Sequence, residues 1–166
     1  ELSEYAENLF KQLPLTAKDV SALMGETEDL TVQSILVDYV QSNAGSIGAS
    51  PGAVALASLL FERLSFHASS AREDRDSSDY MAQSILLALG KLFEQRDTES
   101  EKLKLSEKKI RGWVEILLEI LEKSTTTFRS RSAAISLLAA LCDWYPKPVI
   151  PSLIPAVVSS INVLGK

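Results

Sequence analysis

The side chains that could do chemistry are few and scattered along a chain of 166 residues. His67 is the only histidine, so at most one histidine base is present and no multi-histidine metal site can form. It ends a helical pattern, where a cation favours the helix dipole, and we prefer this structural role to a lone acid-base group. Cys142 is the only cysteine and lies among Leu, Ala and Ile residues, which favours an inert buried thiol over a nucleophile.

Two polar stretches carry incomplete ligand patterns. The glycines at 45, 48 and 52 precede a helix start, but the lysine and Ser/Thr of a phosphate-binding P-loop are absent. Four acidic residues in the second stretch lack the spacing of a calcium loop. They are Glu73, Asp74, Asp76 and Asp79. A peptide-binding role or phosphorylation of Ser77 and Ser78 stays an open alternative, since a phosphate there would lie near a helix N-terminus.

The one basic cluster mixes cations with carboxylates. Its cations are Lys102, Lys104, Lys108, Lys109 and Arg111, and its carboxylates are Glu99, Glu101 and Glu107. This mixture is typical of a solvated helix start. Nucleic-acid contact is the alternative, and it is less favoured because the aromatic platforms of single-strand binders are missing. Trp113 is predicted to be core. Trp144 and Tyr145 follow a helix and are either core or an exposed anchor for a partner.

The composition indicates a globular interior and limits the partners. Hydrophobic residues make up 46% of the chain, and the formal net charge of -5 argues against a general nucleic-acid or acidic-membrane surface. One cysteine allows no internal disulfide, so we expect an intracellular compartment, either cytoplasm or nucleus and nucleolus. No leader or membrane span is visible. The chain begins at Glu1 without methionine, and we expect a piece excised from a longer protein.

Helical periodicity covers most of the chain, and no segment alternates like a strand. Eight helices are predicted, at about 2–13, 16–25, 31–41, 51–67, 78–95, 106–121, 127–143 and 148–164. Thr16 with Asp19, Ser50 before Pro51, and Ser106 are the predicted helix starts. Residues 42–50 are predicted to be a loop, and the polar stretches at 69–79 and 96–105 are predicted to be mobile loops.

The spacing of helix starts and two local motifs resemble the HEAT and armadillo repeat families. Two helices occupy about 40 to 47 residues, the repeat length of these families. The run from Arg131 to Ala134, followed by Leu138 and Leu141, resembles a HEAT second helix. The prolines at 151 and 155, continuing to 158 and 161, resemble the proline-marked first helix of the next repeat. The resemblance covers about residues 129–164, and the aspartate of the turn within a repeat is missing before Phe128.

The resemblance implies an all-α, right-handed solenoid of about four antiparallel helix pairs, spanning 1–166 as one domain. The last predicted helix is apolar on nearly every side, unlike a capping repeat with its polar outer face. We therefore expect it to meet the adjoining repeats of a longer chain, another protein or a second copy. The candidate partner-binding residues are Trp144, Tyr145, Ile150, Ile154 and Val158.

These patterns predict a non-enzymatic protein-interaction scaffold with no cofactor, no metal and no membrane partner. The alternative is an RNA-associated scaffold of ribosome assembly, similar to the very long HEAT proteins that act in pre-rRNA processing. The acidic balance counts mildly against that alternative. An enzyme is the least favoured class, because one histidine and no metal constellation leave little chemistry to build on.

Overall fold

The computed structural model describes residues 4, 8, 12–69, 75–94, 105–123 and 126–164. These residues form eight α-helices and no strand, which confirms the predicted all-α fold. The helices are α1 (Ala17–Glu26), α2 (Leu30–Ser42), α3 (Ala44–Gly48), α4 (Ala53–Ser69), α5 (Arg75–Glu94), α6 (Glu107–Glu122), α7 (Phe128–Trp144) and α8 (Pro146–Leu164). The helix predicted over 2–13 and the loop predicted over 96–105 lie almost wholly outside the described residues.

Two predicted helix starts are confirmed by their capping geometry. At α1 the Thr16 hydroxyl accepts from the Asp19 backbone N–H at 3.3 Å, and the Asp19 carboxylate accepts from the Thr16 N–H at 2.9 Å. At α6 the Ser106 hydroxyl accepts from the Lys109 N–H at 3.3 Å. Each bond satisfies a first-turn donor that has no partner inside its own helix, so local sequence decides where these helices begin.

The predicted cap at Ser50 is wrong, because Ser50 serves a different helix. Its hydroxyl accepts from the Ala17 N–H at 2.8 Å and donates to the Ile47 carbonyl at 2.7 Å. It therefore helps to cap α1, 33 residues earlier, and α4 starts only at Ala53. The chain turns between Ser50 and Ala53 at Gly52, where the φ of 91° and the close approach to the Lys18 backbone would make any side chain strained and tightly packed.

Two predicted loops are partly helical. The stretch 42–50 contains the short helix α3, which the buried Ile47 anchors in the core. In the stretch 69–79, α5 already begins at Arg75, three residues before the predicted start, and residues 70–74 lie outside the described part. Asp79 is bonded to α7, and this tertiary contact outweighs the low helix propensity of its serine neighbours.

Helix α8 runs through all four prolines of its sequence. It starts at Pro146, two residues before the predicted Pro148, and both prolines stand in the first turn, where a missing N–H costs nothing. Pro151 and Pro155 lie farther inside and each removes one backbone hydrogen bond. Both are exposed, so the carbonyl groups that lose a partner can bond to water.

The helices pack in two rows over one continuous core. In the first row, α1 lies against α4, α4 against α6, and α6 against α8. In the second row, α2 lies against α5 and α5 against α7, with α3 also against α5. Consecutive long helices join the rows, because α4 packs on α5, α6 on α7, and α7 on α8. The ring of Phe93, in the second row, packs edge-on against the ring of Trp113, in the first row, with the ring centroids 6.1 Å apart.

Two neighbours within the first row, α4 and α6, run in the same direction. Near the start of each helix, Lys109 of α6 donates to the Ser58 hydroxyl of α4 at 2.8 Å. One turn on, Phe61 and Trp113 stack with centroids 4.3 Å apart. Near the ends, Lys123, which follows α6, donates to the carbonyl of Ala68 in α4. Since these contacts proceed in the same order along both helices, α4 and α6 are parallel.

The second row is built in the same way. The Asp79 carboxylate at the start of α5 accepts from the hydroxyls of Thr127 and Ser130, at the start of α7, at 2.9 and 3.1 Å. At the other end, the indole N–H of Trp144 donates to the Phe93 carbonyl at 3.0 Å. The two helices are therefore parallel and are tied together at both ends.

Candidate protein-interaction surface

The two residues that we considered for catalysis, His67 and Cys142, both pack within the fold. His67 is buried in α4, and the ring of Phe66 meets it edge-on with centroids 5.4 Å apart. Cys142 is half-buried on α7 against the core. No group of three His, Cys, Asp or Glu side chains that could hold a metal ion occurs in the described part of the chain.

The acidic and glycine-rich stretches that were considered as ligand sites also have structural positions. Asp79 accepts the two hydroxyl hydrogen bonds from α7 that tie the second row together. Glu73 and Asp74, and the side chain of Asp76, lie outside the described residues. The glycines of 45–48 belong to the short helix α3, where Gly48 approaches Leu92 of α5.

The described part of the basic cluster makes contacts within the protein. Lys109 donates to Ser58, as described above, and Arg111 forms an ion pair with Glu107 at 3.7 Å. Lys108 is exposed, and the predicted members Lys102 and Lys104 lie outside the described residues. Two of the three described cations are thus engaged with other side chains of the same chain.

The corner between α7 and α8 is held in place by its two aromatic residues. Trp144 is half-buried, and its indole N–H bonds to α5. Tyr145 is also half-buried; its backbone N–H donates to the Leu141 carbonyl at 2.8 Å, and its carbonyl accepts from the Val149 N–H at 3.2 Å. The same residue therefore ends α7 and begins α8, and α8 leaves the corner in a defined direction.

Helix α8 has one buried face and one exposed apolar face. Val149 is fully buried, and Leu153 packs against the core one turn later. Four large apolar side chains, which we name the α8 stripe, are exposed on the face of α8 that points away from the core. They are Ile150, Ile154, Val157 and Val158, with exposed fractions of 46%, 55%, 56% and 50%. Spacings of four, seven and eight residues place all four on one side of the helix.

Three of the five predicted interface residues belong to this stripe. Ile150, Ile154 and Val158 lie on it, whereas Trp144 and Tyr145 form the corner that precedes it. Val157 was not among the predicted interface residues, although its helical spacing from Ile150 places it on the same face. No charged residue occurs between 148 and 164, so the stripe can act only through apolar contact and shape.

A second set of exposed apolar side chains was not foreseen from the sequence. It lies on the second row and comprises Tyr80 and Leu87 on α5, and Phe128 and Ile135 on α7. Members of each pair are seven residues apart, which places them on one side of their helix. The seven-residue spacing is visible in the sequence, but it does not distinguish an exposed apolar stripe from one that faces the core.

None of the helices in the described part of the chain is both long enough and apolar enough to span a membrane. Comparisons with models of protein families, with curated protein sequences and with solved structures each find no match to this chain.

Proposed function

We propose that the chain is a non-enzymatic protein-interaction scaffold, built as a HEAT- or armadillo-like solenoid, and that the α8 stripe docks an apolar helix of another protein. The observation that carries this proposal is the α8 stripe itself. Four exposed large apolar side chains lie together on a helix whose opposite face is anchored in the core. Contiguous exposed apolar surface of this kind marks interaction sites.

The packing of the helices supports the solenoid part of the proposal. Each row contains every second long helix. The two neighbour pairs α4/α6 and α5/α7 run parallel, as expected for stacked helix pairs. Three contacts between neighbours in a row join residues 51 apart: Ser58 with Lys109, Asp79 with Ser130, and Phe93 with Trp144. Further contacts between these helices join residues 48, 52 and 55 apart, so similar offsets relate α4 to α6 and α5 to α7.

The shape of the α8 stripe supports a helical partner. Ridges formed by side chains four residues apart, such as Ile150 and Ile154, pack into the grooves of another helix. The adjoining repeats of a longer parent chain would supply such a helix, as would an unrelated protein. A second copy of this chain would also supply one, through its own α8 stripe.

A photo-crosslinking experiment tests the proposal. A benzophenone amino acid is placed at position 157, on the stripe, or at position 159, which is exposed about half a turn away. We expect protein adducts in cell extract from position 157 but not from 159, and their loss when Ile154→Glu and Val158→Glu are introduced. Mass spectrometry of the adduct separates a second copy from another protein. Equal adducts from both positions, or none, would contradict the proposal.

The RNA-associated scaffold of ribosome assembly is the competing proposal, and nuclease treatment separates the two. Adducts that disappear when the extract is treated with ribonuclease before irradiation would favour the RNA-associated scaffold. Adducts that persist would favour direct protein docking, because the apolar α8 stripe carries no cation to meet a phosphate.

A further inference from the structure

A groove lies on the second row between α5 and α7. It encloses a volume of about 370 Å³, and its walls come from residues 83–94 of α5 and 128–136 of α7. Ligand pockets in proteins have volumes of about 300 to 1,000 Å³, so this groove lies at the lower end of that range. Because Asp79 and Trp144 tie the two helices together at both ends, the groove walls are held at a fixed separation.

Small residues on both walls make the room. Gly90 of α5 and Ser132, Ala133 and Ser136 of α7 all line the groove. A Cβ atom built on Gly90 meets no heavy atom within 4 Å, so this glycine is not required by close helix packing. A glycine inside a helix costs about 1 kcal/mol relative to alanine, and here it leaves space.

The groove offers apolar contact to an incoming side chain. Leu86 is buried at its base, while Leu87 and Phe128 line it with exposed fractions of 42% and 85%. Phe128 is the first residue of α7 and the most exposed large apolar side chain in the described part of the chain. Covering these two side chains removes apolar surface from water, which is favourable for any occupant that fits.

The charged residues of the groove are predominantly cationic. Lys91 and Arg129 lie on opposite walls, and Glu94 is the single carboxylate among the lining residues. Neither side chain forms a hydrogen bond or an ion pair with another residue in the described part of the chain. Two cations and one carboxylate give the lining a net charge of +1, on a protein with a net charge of -5, which favours an anionic group over a cationic one.

We propose that this groove docks a short segment of a partner protein that carries a large apolar side chain next to acidic ones. The apolar side chain enters between Leu87 and Phe128, and the carboxylates meet Lys91 and Arg129. The lining residues of α5 span about 16 Å at 1.5 Å per residue, which matches about five residues of an extended peptide. An inorganic anion alone would leave the apolar walls exposed to water, whereas a peptide segment covers them and also places carboxylates near both cations.

Selection from a displayed library of random peptides, with the whole chain as bait, tests this proposal. The peptides that are enriched are synthesised, labelled, and titrated with the protein by fluorescence anisotropy at two salt concentrations. We expect enriched sequences to combine leucine or aromatic residues with aspartate or glutamate. We also expect their affinity to fall as the salt concentration rises, since salt screens the contacts with both cations.

Two kinds of variant link the binding to the groove. Lys91→Glu with Arg129→Glu reverses the charge, and Gly90→Leu fills the space while improving helix propensity. Each is expected to weaken peptide binding by about tenfold or more. Gly112→Leu is the matched control, because a Cβ atom there also meets nothing within 4 Å on a helix outside the groove. Circular dichroism verifies folding; should Gly90→Leu unfold, the charge reversal alone decides.

Several outcomes would overturn the proposal. They are a selection that enriches nothing, one that enriches basic peptides, and binding that survives both groove variants. Single-stranded RNA that binds better than the selected peptides and is lost with the charge reversal would overturn it too. The Ile154→Glu, Val158→Glu pair should leave peptide binding unchanged, so this test is independent of the α8 stripe.

Discussion

The indole N–H of Trp144 donates to the backbone carbonyl of Phe93, 51 residues earlier, at 3.0 Å. Phe93 lies in the last turn of α5, where carbonyl groups have no partner inside the helix. A side chain at the end of α7 thus satisfies a backbone group at the end of α5. The bond gives Trp144 a structural role, whereas its sequence context leaves open whether it is core or an exposed anchor for a partner.

Replacing Trp144 by phenylalanine should destabilise the protein by about 1 kcal/mol, because the aromatic ring stays while the donor to the Phe93 carbonyl is lost. Urea denaturation followed by circular dichroism gives the free energy of unfolding. An unchanged free energy of unfolding would show that water replaces the indole N–H without loss. The α8 stripe crosslinks should persist in this variant.

Removing the Asp79 carboxylate should cost about 2 kcal/mol, because hydrogen bonds to a charged group are stronger than neutral ones. Asp79→Ala leaves the buried Ser130 hydroxyl without its acceptor. Thermal and urea denaturation measure the loss. Asp143→Ala is the matched control on α7, because Asp143 is exposed, and it should change stability by less than about 0.5 kcal/mol. Equal effects at both positions would contradict this account.

Placing charges on the α8 stripe should leave the fold intact. Ile154→Glu and Val158→Glu are expected to change the free energy of unfolding by less than about 1 kcal/mol, since both side chains are already half-exposed, and to raise solubility. Val149→Glu, on the buried face, should cost about 3 kcal/mol or more. Urea melts and the soluble yield separate these outcomes, and an unfolded Ile154→Glu, Val158→Glu protein would refute the exposed placement of the stripe.

The cap of α1 predicts a titration that NMR can follow. Hydrogen bonds from the Thr16 hydroxyl and the Thr16 backbone N–H lower the pKa of the Asp19 carboxyl below its usual 3.8. A lowered pKa stabilises the folded state above the ordinary pKa, and this contribution disappears as the pH falls through the folded-state pKa. Thr16→Val should raise the pKa of Asp19 part of the way back, since the backbone donor remains. Thr31→Val, on α2, should leave it unchanged.

Local signals were sufficient where the interacting groups are close in sequence. The caps at Thr16 and Ser106 lie within three residues of their partners, so their residue types predict the bonds. Ser50 has equally good cap chemistry and a following proline, yet its hydroxyl bonds to Ala17, 33 residues away. Sequence context alone cannot reveal that contact, because it depends on how α1 meets the start of α4.

The two surfaces differ in the same way. The α8 stripe could be predicted because α8 is apolar all round, and a helix with one buried face must then expose apolar side chains. The groove could not be predicted, because it exists only where α5 and α7 lie side by side. Gly90 and Ser132 show no distinctive pattern in the sequence, and only the packing of α5 on α7 makes both of them line one groove.

The two-row packing has a consequence for how the protein opens. The main interfaces of α1 are with α2 and α4, and those of α8 are with α6 and α7, so within the described residues no large interface joins α1 to α8. Fraying of α8 therefore removes contacts only from its immediate neighbours, and amide hydrogens in α4 and α5 should be the slowest to exchange with deuterium. A destabilising substitution in α1 or α8 should let that helix unfold separately, while the helices in the middle of the stack still unfold together.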